Sequence, residues 1–230
     1  MTRHMTYYNL MDAMKKPGCF VCRLVSEAVD HYLDTLLYEN VNDVGVRKNL
    51  RESNGFCPKH AWLLCEYGDP LGHSIIYGDL VDGVLDSLKG LLVSHPHPLS
   101  KTTNSQAKRL LPGQKCPACL VARGAQERYI VVLLEEFASD PMFETEFASS
   151  SGLCLPHLVE ALEVSRNDEA TRRLLRVSIG KLEKLKAHLA EVKRKHDYRF
   201  SKEPWGDEQD AWIRAVEVWG GLRQTTSLEG

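Results

Sequence analysis

Cys19 and Cys22 stand two residues apart, and 34 residues further on Cys57 and His60 keep the same gap with a histidine in second place. The same four types recur 97 positions later as Cys116, Cys119, Cys154 and His157. Two ligand pairs joined by one intervening loop or helical hairpin is the arrangement a tetrahedral zinc ion needs. A two-residue gap lets both members of a pair turn towards one ion, above all at the start of a helix. There the free backbone N–H groups also favour thiolate over thiol. A closed four-ligand site leaves no position for water or substrate, so the expected role is a structural staple, with two zinc ions per chain. The simplest pairing keeps each site inside its own repeat: Cys19, Cys22, Cys57 and His60 around one ion, and Cys116, Cys119, Cys154 and His157 around the other.

Other chemistries explain less of the pattern. Free cysteine is often a small buried hydrophobe, but packing alone does not require eight positions to recur together. "CPAC" is a redox C-x-x-C in isolation, yet it normally sits in a βαβ setting and would leave Cys57, His60 and their copies unused. No C-x-x-C-H for covalent haem is present, nor the cysteine run of bacterial ferredoxins; an iron–sulfur cluster on three cysteines and a histidine is the alternative cofactor. Cys65 has no counterpart, since Leu162 occupies its place, and it reads as a core cysteine.

The elements that must position these ligands are themselves duplicated. Residues 19–92 align without a gap on 116–189, with 18 identities in 74 positions, against roughly four or five from average composition. Tyr32 matches Tyr129, Gly55 matches Gly152, and Leu36, Leu37, Leu85, Leu88 and Leu92 recur as Leu133, Leu134, Leu182, Leu185 and Leu189. Leu24, Val25, Ala28, Tyr32, Leu33, Leu36 and Leu37 fall at three- and four-residue steps, which predicts one buried helical face. Asp43, and Asp140 after it, is placed to cap a short helix ending near Ser53. Gly55 then supplies a turn, and Pro58 opens the next helix. Longer helices are expected over about 71–93 and 168–196. No stretch alternates with period two, so the fold class is all-α: a helical bundle of two tandem, pseudo-symmetric metal-binding units plus a C-terminal helix. The divisions expected are 1–93 for the first unit, 94–115 for a linker, 116–196 for the second unit and 197–230 for the tail.

The bulk numbers exclude several classes. The 230 residues, 43% hydrophobic, can bury a real core. A net charge of -2 gives no global bias towards nucleic acid or membrane. No apolar run is long enough to span a bilayer, and the N-terminal sequence is too polar for a signal peptide. With an odd cysteine count of seven, the expected compartment is the reducing cytoplasm.

The tail "HDYRFSKEPWGDEQDAWIRAVEVWGG" has no earlier copy. Trp212 and Trp219 lie seven apart on one face of a helix expected from about Asp207, pinned to the bundle by aromatic burial. Arg199, Glu203, Asp207, Glu208 and Asp210 crowd beside it, either pairing internally or lining a pocket. The twin C-x2-C…G-[FL]-C-x2-H units followed by "YRFSKEPWGDEQDAW" resemble a bacterial family known only as a domain of unknown function. That resemblance implies a bacterial cytoplasmic protein and brings no activity with it.

Two classes of function follow. One is a non-catalytic zinc-binding module with a surface for a protein or small-molecule partner. Within it stands nucleic-acid binding through the basic stretch 171–195, where nine Lys or Arg and two Glu give a local +7. Those charges lie all round the helix, so a solvated surface is the favoured explanation. The other class is a metal-dependent or redox enzyme using the metal sites, the tail carboxylates, or the spare histidines His31 and His73. No hydrolase, nucleotide-binding or zinc-protease motif supports it.

Overall fold

A computed structural model describes residues 4–94, 108, 110–111 and 115–223. Among the described residues every regular element is helical, as the periodicity predicts. The helices are α1 Met5–Met14, α2 Phe20–Thr35, α3 Val44–Glu52, α4 Pro58–Cys65, α5 Pro70–Ser94, α6 Pro117–Ser139, α7 Pro141–Ser149, α8 Leu155–Val164, α9 Asp168–Lys195 and α10 Ala211–Gly220. A wider π-helical stretch, Leu36–Asn40, continues α2. Most of the expected linker, 94–115, lies outside the described residues.

Local chemistry explains the boundaries. The Asp43 carboxylate accepts from the Val46 N–H at 2.8 Å, and the Asp140 carboxylate accepts from the Met142 N–H at 3.0 Å, capping α3 and α7. Gly55 and Gly152 both sit at positive φ, +79° and +85°, a conformation that a Cβ disfavours. They turn the chain sharply into α4 and α8. The helix α1 was not among the expected elements, although Tyr7, Leu10 and Met14 already carry its three- and four-residue spacing, and all three are buried.

The chain packs as two compact units, and their limits differ from those of the sequence repeats. One unit joins the described residues up to Ser26 with those from Ala125 onward; the other is formed from Glu27 to Gly124. The divisions fall inside α2 and α6, so each of these helices starts in one unit and ends in the other. Both helices are long enough to pass from one unit to the other. The 16 residues of α2 and the five of the π-helical stretch carry the chain about 30 Å from Cys19, at 1.5 Å per residue. From there the nine residues of α3 and the turns on either side of it lead to α4 within the second unit.

The first unit has an aromatic core. Phe137, Phe143 and Phe147 are fully buried, with the Phe137 ring edge-on to Phe147 at 4.9 Å and to Phe143 at 6.0 Å. Phe20 meets Phe147 at 5.8 Å, and α1 adds Tyr7, whose ring lies 5.9 Å from Phe143 and whose hydroxyl donates to Asp140 at 3.0 Å. The second unit has a largely aliphatic core of Val29, Leu33, Leu36, Leu50, Leu63, Leu64 and Ile76, with Phe56 as its aromatic member.

Candidate metal centres

Each of the four ligand pairs occupies the same place in a helix. Cys57 and Cys154 are the N-caps of α4 and α8. The carbonyls of Cys19 and Cys116 accept the first helical bonds, from Arg23 and Leu120, so these residues cap α2 and α6. The second member of every pair is therefore the third residue of its helix. At that depth its side chain points back over the helix end, beside N–H groups that have no carbonyl partner.

The pairs combine across the repeats. Cys19 and Cys22 meet Cys154 and His157, and Cys57 and His60 meet Cys116 and Cys119; within each set all donor atoms lie within 4.8 Å of one another. This corrects the expectation that each repeat closes its own site. All eight residues fall in the two sets, with partners exchanged between the repeats, because α2 and α6 each carry the chain from one unit into the other. Each set falls within one compact unit.

In the first set the His157 Nδ1 lies 3.4 Å from the sulfurs of Cys19 and Cys22 and 3.1 Å from Cys154 Sγ. The Cys22 and Cys154 sulfurs are 3.6 Å apart. In the second, His60 Nδ1 lies 3.3 Å from Cys57 Sγ, 3.5 Å from Cys116 Sγ and 3.3 Å from Cys119 Sγ. Cys57 and Cys119 are again 3.6 Å apart. Zinc–sulfur bonds of ~2.3 Å and zinc–nitrogen bonds of ~2.0 Å put tetrahedral ligand atoms roughly 3.4–3.8 Å apart. The observed spacings, 3.1–3.6 Å, lie at or a little below these values and suit a single ion in each set. A polynuclear cluster interposes several atoms between its ligands and would hold them further apart, and a disulfide would bring two sulfurs to about 2.05 Å.

Without an ion the thiols must share protons. Hydrogen bonds from Cys154 and Cys22 hold the Cys19 thiol far below its usual range, and the bond to Cys19 drives Cys154 far above it. Burial opposes the His157 cation, but the Cys19 and Cys22 sulfurs outweigh it and raise the group to about 10. In the second set burial pushes Cys119 up to about 12. Burial, then the neighbouring Lys59, lowers His60. The two sets have identical donors in different surroundings.

Those surroundings are unequal. Three ligands of the first set are buried, against two of the second, where Cys57 and Cys119 are part-exposed. The tail covers the first set: Gly221 has φ +74°, and a Cβ there would lie 2.8 Å from the Cys22 sulfur. Leu222 packs on Gly18 so closely that a Cβ on that glycine would collide with it. Lys181 steadies the loop before Cys154 by donating to the carbonyls of Ala148 and Ser150. These covering residues were not anticipated. The only sequence signal is the Gly220–Gly221 pair closing the tail helix.

The other residues singled out take ordinary places. Cys65 is exposed rather than in the core, and it joins neither set. His31 is exposed, and His73 Nδ1 lies 2.6 Å from the Asp69 carbonyl. Trp212 and Trp219 do not pin the tail, being 60% and 69% exposed; Ala211 is the fully buried residue of α10. The tail acids pair with the basic helix and with their own segment. Glu203 binds Arg194, Glu208 binds Lys195 at 2.5 Å and Asp210 binds Arg214 at 2.8 Å. Arg199 pairs with Asp197 at 2.7 Å, and Asp207 supplies a backbone carbonyl to Arg214. A cavity of about 570 Å³ in the first unit is bordered by Cys19, Cys154, Lys181, Asp210, Arg214 and Glu217.

The sequence matches the model of a family of unknown function, DUF6062, over residues 1–225. The chain belongs to this family. It is also 35% identical over 216 residues to an uncharacterized 23.9 kDa protein in the xynA 3' region of Caldicellulosiruptor sp. (strain Rt8B.4), covering 93% of this chain and all of that protein. No solved structure matches. No described helix is long and apolar enough to cross a membrane.

Proposed function

We propose that this member of the family is a non-catalytic, cytoplasmic zinc protein whose two ions clamp pairs of helix N-termini and hold a surface for a partner. The observation that carries the reading is the donor geometry: three sulfurs and one Nδ1 at tetrahedral spacing, twice, with each set closed by four protein atoms. Thiolate-rich tetrahedral sites favour zinc among the common divalent ions. A four-ligand shell leaves no coordination position for a reacting molecule. Helix N-termini favour the thiolate charge that the ion then neutralises.

Elemental analysis of protein purified without added metal is the test. Two zinc ions per chain and a colourless solution support the proposal. A brown protein containing iron and sulfide replaces it with the cluster reading, and less than one metal per chain removes it. A different reading draws on the cavity beside Cys19 and Cys154, which carries both charge signs and suits a small polar ligand. Four of the nine cations between 171 and 195, namely Arg173, Lys181, Arg194 and Lys195, are engaged by protein acceptors, which weakens the nucleic-acid alternative.

A further inference from the structure

Beyond the metal sites, the long helix α5 carries an apolar stripe with no cover among the described residues. Val81, Leu85, Leu88 and Leu92 step by four, three and four, the 3.5-residue spacing of a coiled-coil seam. They are 54%, 44%, 44% and 79% exposed, and Val84 and Leu91 widen the stripe on one flank. Four large aliphatic residues aligned on one helix make a contiguous apolar surface rather than scattered exposure.

The internal repeat supplies a control. The matching positions on α9 are Ser178, Leu182, Leu185 and Leu189. There α10 lies against the helix; Ser178 and Leu185 fall to 9% and 8% exposed, Leu189 is part-buried, and Leu182 stays 37% exposed. The same face of the same duplicated helix is thus a docking face for another helix. In the first repeat no segment of the described chain performs that part.

We infer that α5 is a homodimerisation helix that pairs antiparallel with α5 of a second copy. Charge complementarity selects this occupant and this direction. In the heptad that places Leu85 and Leu92 at a and Val81 and Leu88 at d, Asp82 and Lys89 both take position e. Antiparallel pairing sets Leu85 against the partner's Leu88, and Val81 against the partner's Leu92. Asp82 and the partner's Lys89 then fall between the same two layers on the same side, and two-fold symmetry repeats the ion pair. Parallel pairing would set each e residue against a g residue, Tyr77, Val84 or Leu91, and would leave both charges without a partner. From residue 81 to residue 92 the seam is only about 17 Å long, so the association is concentration-dependent rather than obligate.

Sedimentation of the metal-loaded full chain, from micromolar to several hundred micromolar, tests this. A monomer–dimer equilibrium is expected, and Leu85→Glu with Leu88→Glu should abolish it while helicity and metal content stay unchanged. Asp82→Lys should weaken dimerisation about tenfold by setting two lysines together. Adding Lys89→Asp to it should restore the wild-type constant. A monomer at every concentration overturns the inference. So does a dimer that survives the double leucine change, including one that dissolves instead on Trp212→Glu with Trp219→Glu. A dimer indifferent to Asp82→Lys overturns the antiparallel register.

Discussion

In the first unit α9 is covered by α10, α7 is packed against α1, and the cysteine set is closed over by Gly221 and Leu222. Among the described residues of the second unit, the matching helices α5 and α3 have neither addition, and Cys57 and Cys119 are part-exposed. Both regions descend from one repeated sequence with one ligand pattern, so the contrast isolates what the unrepeated ends do. They cover one Cys/His set and one helix face. The donor geometry survives without them, since the spacings are 3.1–3.6 Å in the first set and 3.3–3.6 Å in the second. What the ends change is access.

The largest test of this contrast concerns which ligands share an ion. Zinc binding in small peptides contributes on the order of ten kcal/mol, comparable with the whole stability of a domain. Cys19→Ser with Cys154→Ser should therefore cost one ion and unfold one unit, leaving the other ion bound. Cys19→Ser with Cys57→Ser should cost both ions and the cooperative melting transition. Cys65→Ser should change little. If Cys19→Ser with Cys57→Ser releases a single ion while Cys19→Ser with Cys154→Ser releases two, the exchanged pairing is wrong.

That pairing marks the limit of what the sequence disclosed. The eight candidate ligands, the helical periodicity and the caps at Asp43 and Asp140 are read from local spacing, and the structure gathers the eight into two Cys/His sets. Which cysteine pair meets which is a three-dimensional matter, because two chemically identical sets give no compositional clue. The long helices α2 and α6 were legible as elements, but their lengths do not by themselves say which pair meets which. The exposure of the tryptophans was no more legible. Trp212 and Trp219 share a face, but periodicity alone does not say whether that face turns inward. Ala211, the residue that does turn inward, is too small to stand out.

Core substitutions should separate the units next. Phe143 is fully buried among Tyr7 and Phe137, whereas its counterpart Val46 is only part-buried in the second unit. Phe143→Ala should destabilise by about 3–5 kcal/mol. Val46→Ala should cost well under half of that, because a smaller and partly solvated side chain leaves a smaller cavity. Denaturant unfolding of metal-loaded protein measures both, and equal losses would show that the aromatic core confers no extra stability on the first unit.

Access predicts a kinetic difference. With excess chelator, the ion held by Cys57, His60, Cys116 and Cys119 should leave first and the other more slowly, giving two phases of equal amplitude. Gly221→Ala places a Cβ against the Cys22 sulfur at an unfavourable φ, so it should speed only the slow phase. A single phase in the wild type would mean that the tail closure does not limit release. Acid should act through the ligands themselves, because each thiolate bond competes with a proton. Release is therefore expected to rise as pH falls.

The smallest effect separates tail docking from metal binding. Glu208 is held down to about 2, first by the hydrogen bond from Lys195 and then by the Gly206 N–H at 3.0 Å. A carboxyl whose folded value lies below its ordinary value near 4.5 stabilises the docked tail fully above that ordinary value. The contribution is lost as pH falls from there through the folded value. Lys195 Nζ also lies 5.7 Å from the centre of the Trp205 ring, so the fluorescence of that residue reports the contact, with Trp205→Phe identifying its share of the signal. In wild-type protein the Trp205 signal should change between about pH 4.5 and 2, with metal release followed in parallel to separate the two events. Lys195→Met removes the cation while keeping an apolar stem. It should loosen the tail already at neutral pH and flatten that acid titration, with both ions still bound at pH 7. If Lys195→Met leaves the Trp205 titration as steep as before, the ion pair is not what holds the tail to α9. The cover over the first cysteine set would then rest on Gly221, Leu222 and the packing of Ala211 alone.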